Sequence, residues 1–157
     1  MFQVARLTCV CVLGSLALMA LALNIQTTGM VGLASGQTAR LNLLNPGIQA
    51  PAMGIICTAQ VSFVDSDGAS LKSDTLAVIP GKSASLDLSG DSELNLAMGD
   101  RRQIRALITI PAIPASSPNA GAPSCTVIPT LEIFDSATGR TVVTLSRTST
   151  VPSLGLN

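Results

Sequence analysis

The chain has 157 residues, contains no His, Trp or Tyr, and balances 9 basic against 9 acidic residues. Without histidine it has no Ser-His-Asp or Cys-His catalytic arrangement and no His-based metal site. A neutral chain with no charge runs has no electrostatic footprint for nucleic acid or anionic lipid. Beyond Phe2 only Phe63 and Phe134 remain, too few to stack sugars or single strands.

The first six residues carry one positive charge, Arg6, and residues 7–23 are uncharged and almost wholly apolar. Ala20-Leu21-Ala22 places small residues at the two positions a signal peptidase reads. This predicts an apolar signal helix over 1–22, cut after Ala22. The run is longer than a usual signal core of about 7–15 residues and shorter than a comfortable span of about 20, so an uncleaved anchor is the alternative. In both cases Arg6 stays inside and the remainder is exported to the periplasm, the cell surface or the exterior. Cys9 and Cys11 lie in this segment without a lipoprotein-type context.

Residues 24–29 are polar, so 23–29 predict a flexible arm, and 30–33 a short first strand. Residues 38–44 alternate, with Ala39, Leu41 and Leu43 on one face and Thr38, Arg40 and Asn42 on the other, the period of a half-buried strand. Asn45-Pro46-Gly47 ends it. After an Ala/Pro/Gly connector over 48–54, Ile55, Cys57, Ala59, Val61 and Phe63 share a face. Asp65-Ser66-Asp67-Gly68 then turns the chain into a strand over 71–79. Pro80-Gly81 leads into residues 83–88, where Ala84, Leu86 and Leu88 alternate with Ser83, Ser85 and Asp87.

Residues 90–99 are turn-rich, with a single helical turn expected over 92–97. Residues 103–110 form a strand in which Leu107 interrupts the alternation, which predicts burial on both faces. Residues 111–124 carry four prolines and predict a long surface loop. Residues 126–135 and 140–145 form the last hairpin, and 148–157 a disordered tail.

Two similarities recur along the chain. GQTARLNL, from Gly36, matches GKSASLDL, from Gly81, and each of two hairpins opens on Cys-Thr and turns after Phe-Val-Asp or Phe-Asp. Seven or eight short strands without an amphipathic helix predict an all-β, antiparallel two-sheet sandwich over 30–147. The IPGKSASLDL turn-strand and the VSFVDSDGASL hairpin resemble those of immunoglobulin-like and fibronectin-type modules in small exported bacterial proteins. That resemblance implies a sandwich fold and no particular activity. The core tryptophan and tyrosine corner of antibody-type domains are missing here.

Cys57 and Cys125 are the two cysteines that reach the exported side, and an even pair in an oxidising compartment predicts one disulfide. The alternative, a metal site, lacks ligands. Asp65, Asp67 and Asp135 would converge on a calcium ion if their turns shared one end of the sandwich. The competing reading is a metal-free turn in which aspartate caps its own backbone. Lys72 and Lys82 leave a Ser-Lys arrangement formally open, but both lie in or beside exposed turns. Arg101, Arg102 and Arg105 form the only basic cluster, with Asp87 or Glu132 as expected cross-strand partners. No cofactor is predicted. Two functions remain: a non-catalytic structural or assembly protein that associates through strand edges, and a monomeric module that presents 111–124 to a protein partner.

Overall fold

The computed structural model describes residues 23–47, 56–111, 125–146 and 148–151. The predicted signal segment, the 48–54 connector and nearly all of the Pro-rich loop lie outside them. Among the described residues there are ten strands and no helix long and apolar enough to cross a membrane. In chain order they are β1 (Leu23–Thr28), β2 (Val31–Ala34), β3 (Gln37–Leu44), β4 (Cys57–Asp65), β5 (Ser70–Val78), β6 (Ser83–Ser89), β7 (Arg101–Pro111), β8 (Ile128–Asp135), β9 (Thr141–Leu145) and β10 (Thr148–Val151).

They form two antiparallel sheets. The first runs β10-β1-β7-β4-β5, with β2 also on β7, and the second runs β6-β3-β8-β9. The alternation predicted for β3, β4, β6 and β7 sends one face of each strand into a shared core. Ala59, Val61, Phe63, Ile104 and Ile108 enter from the first sheet, and Ala39, Leu41, Leu88, Leu131 and Ile133 from the second. Each large aliphatic side chain removed from water in this way contributes about 1.5–3 kcal/mol before entropy is counted. Leu107 is half-buried on the opposite face of β7.

Residues 23–28 of the stretch expected as a flexible arm instead form β1 between β10 and β7. The pattern misled because it is inverted: Gln26 and Thr28 are the buried side chains, while Ile25 is 37% exposed. Backbone pairing on both sides compensates. β1 and β2 lie end to end along β7, with Thr27 opposite Leu107 and Val31 opposite Ile104. The β1–β2 side therefore holds one residue too many, a bulge in all but name. Thr28 covers the gap, its hydroxyl oxygen accepting from the Ala106 amide at 2.9 Å. Of the expected disordered tail over 148–157, residues 148–151 form β10 on the outer side of β1, and 152–157 lie outside the described residues.

The two sequence repeats have different fates. GQTARLNL and GKSASLDL become β3 and β6, which pair with each other, the matching leucines Leu41 and Leu86 directly opposite. The cysteine-led hairpins part company, β4–β5 in the first sheet and β8–β9 in the second. The helical turn expected over 92–97 is replaced by hydrogen-bonded turns, including Leu94 N to Ser89 O at 3.2 Å and Leu96 N to Gly90 O at 2.9 Å.

Candidate functional site

The two ends of the molecule differ in chemistry, and the predicted residues divide between them. At one end lie the hairpin turns. Asp65 is 4% exposed, and its Oδ1 accepts the amides of Asp67 at 3.0 Å and Ala69 at 2.9 Å. Its Oδ2 accepts from Arg102 Nη2 at 3.0 Å. Asp135 repeats the design: its Oδ1 accepts the Ala137 amide, the Thr138 amide and the Thr138 hydroxyl at 3.1, 2.7 and 2.7 Å. Gly68 and Gly139 close both turns at positive φ, 84° and 69°. Two of the three carboxylates named for calcium, those of Asp65 and Asp135, are thus engaged by their own turns, while Asp67 contributes its backbone amide. Among the described residues no three His, Cys, Asp or Glu side chains gather in a way that would hold a metal.

Burial pushes the Asp65 carboxyl up, but the Ala69 amide, the Arg102 guanidinium and the Asp67 amide together outweigh it and hold the group below the ordinary carboxylate range. Thr138, through hydroxyl and amide, holds Asp135 below that range too. A carboxyl depressed on folding stabilises above its unfolded pKa, near 3.9, and loses that contribution as pH falls through the folded value. Stability should therefore be flat at neutral pH and fall in the acid range below about 4. Urea midpoints taken across pH should fall less steeply in acid for Asp65→Asn than for the parent chain. Parallel curves would remove Asp65 from the account.

The basic cluster is redistributed. Arg102 pairs with Asp65, not with Asp87 or Glu132 as expected. Asp87 is taken by Arg40, which reaches it through Nε and Nη2 at 2.7 Å each, and Glu132 accepts from the Thr141 hydroxyl. The register explains this, because Arg40 stands opposite both Asp87 and Glu132. The Arg40 guanidinium also lies 5.1 Å from the centre of the Phe134 ring. Phe134 is half-buried on that outer face, so Phe63 alone is the aromatic side chain of the core among the described residues. Arg105 is half-buried, and its Nε is buried without a hydrogen-bond partner. Lys72 contacts Glu93 at 2.5 Å.

Further contacts tie the turn end together. The Ser35 hydroxyl and the Gly36 amide donate to Asp91 Oδ1 at 2.9 and 2.8 Å, and Ser136 N donates to Gly36 O at 2.9 Å. At the opposite end Cys57 and Cys125 are bonded, with their Cα atoms 5.4 Å apart. Cys57 opens β4 in the first sheet and Cys125 precedes β8 in the second, so the bond joins the sheets. Asn45, which the sequence marked only as a strand stop, clamps this end: its Nδ2 donates to Val78 O at 3.0 Å, and its backbone pairs with Gly81 and Lys82.

An open groove of about 490 Å³ crosses the outer face of the first sheet, lined by Gln60, Ser62, Ser73, Asp74, Thr75 and Thr109 among others. It offers hydroxyls, an amide and one carboxylate whose Oδ1 already accepts from Thr75 N at 2.7 Å. That is hydrogen-bonding chemistry. Comparison with protein-family models, with curated proteins and with solved structures finds no match to this chain.

The remaining surface feature is the set of sheet edges. β5 and β6 border one side, with Lys72, Asp74 and Asp87 among their residues. β9 and β10 border the other. Their sequences, TVVTL and TSTV, contain no charge and no proline, and Val142 is 56% exposed.

Proposed function

We propose that this chain is an exported, non-catalytic β-sandwich of immunoglobulin-like plan that serves as a structural or assembly component of the cell envelope or exterior. Residues 1–22 act as its export signal helix. The observation that carries the reading is the uncharged pair of edge strands, β9 and β10, one ending each sheet. An edge strand presents unpaired backbone donors and acceptors, and lysine or proline is the usual guard against another chain adding to it. Here that guard is absent from both edges, and β-strand addition is the mode of association such an edge supports.

Native mass spectrometry of the protein recovered from its export compartment tests this. A ladder of multimers is expected, and Val142→Lys, which puts a charge on the β9 edge, should shift the ladder towards monomer. A clean monomer at every concentration would overturn the assembly role.

A further inference from the structure

The end that carries the disulfide combines three features. First, Leu23 begins β1 opposite Pro111, so the chain enters β1 at this end. Second, large apolar side chains stand exposed on its rim. Leu44 and Ile128 are 41% and 47% exposed and face each other across β3 and β8. Ile56 and Ile79, 54% and 55% exposed, adjoin the Cys57–Val78 pair of β4 and β5. Third, Lys82 is the only charged residue there among the described residues, whereas the opposite end holds Asp65, Asp67, Asp91, Asp100, Asp135 and Arg140.

We propose that, in the form of the chain that carries residues 1–22, this end of the sandwich seats on a lipid bilayer. The apolar residues ahead of β1, 7–22, number 16 and, as a helix, would span about 24 Å against a hydrocarbon core of about 30 Å. A span that is too short draws its flanking groups into the interface. Because the run ends flush with β1, the flanking group is the sandwich itself. Four exposed Leu and Ile side chains then enter a layer that would reject the charged end. With only Lys82 nearby, the contact depends on apolar burial and needs no anionic lipid. The inference rests on residues 1–22 being a membrane segment.

The absence of Trp and Tyr gives the test a dark background. Full-length chains with Ile79→Trp, Ile128→Trp or Met98→Trp are reconstituted into phosphatidylcholine vesicles with and without brominated acyl chains. Met98 is 97% exposed and lies at the charged end. The first two variants should lose most of their emission to the brominated lipid, and the third should lose none. Flotation with the vesicles but equal, unquenched emission from all three would overturn the seating and leave the membrane segment intact. Failure to float would overturn both. Blue-shifted emission from Ile79→Trp that brominated lipid does not quench, together with a dimer mass, would assign this end to a second copy of the chain and refute the lipid contact.

Discussion

Replacing Cys57 and Cys125 together by alanine should lower the unfolding free energy by about 4 kcal/mol, the loop-entropy value for a bond closing a separation of 68 residues. The effect is large because the bond joins the two sheets as well as two distant points of the chain. Most pairings that hold each sheet together run within that sheet, and the core between them is aliphatic with one phenylalanine. Alanine is the right replacement, since Cys57 is 1% exposed and a serine hydroxyl would be buried there. Urea unfolding of the parent chain with and without reductant gives the same comparison without mutation. Coincident midpoints in all three samples would show that the bond contributes nothing.

The second large effect is expected at Gly90. A Cβ on this residue would sit 2.4 Å from the carbonyl oxygen of Ala34 and 3.2 Å from that of Gln37. Both are backbone atoms flanking the turn between β2 and β3, and neither has a flexible side chain's freedom to withdraw. Gly90 also donates its amide to Gln37 O at 2.9 Å, so moving away breaks a bond that the close approach makes. Gly90→Ala should cost about 3 kcal/mol, at the upper end for overpacking. Gly36→Ala is the control: its φ is 76°, but a Cβ there meets nothing within 4 Å. Its cost should be only about 1 kcal/mol, from backbone conformation alone. Thermal melts of the two variants decide the matter, and a Gly90→Ala loss no larger than that of Gly36→Ala would refute the packing argument.

Local chemistry was legible in the sequence. The alternation of β3, β4, β6 and β7 fixes which side chains are buried, and the Asp-to-Gly spacing of both hairpins fixes their turns. Partnership was not, because it depends on register between strands far apart in the chain. Arg40 and Asp87 are 47 residues apart, and only the pairing of β3 with β6 makes them neighbours. The same holds for Gly90, whose neighbours belong to a turn more than fifty residues earlier. β1 was misread for a different reason. Its buried Gln26 and Thr28 are polar, and what holds the strand is backbone pairing, which leaves no mark on side-chain pattern. The carboxylates were identified as a group, but in Asp65 and Asp135 one oxygen is committed to turn amides that no residue-type argument counts.

The position of β1 between two neighbours has a mechanical consequence. A pull on Leu23 from outside the domain acts along the axis of the strand, while the hydrogen bonds to β7 and β10 lie across it. The load is shared by a whole row of bonds on each side and does not fall on one pair at a time. An attachment through the front of this chain therefore resists as a shear joint, not as a zipper.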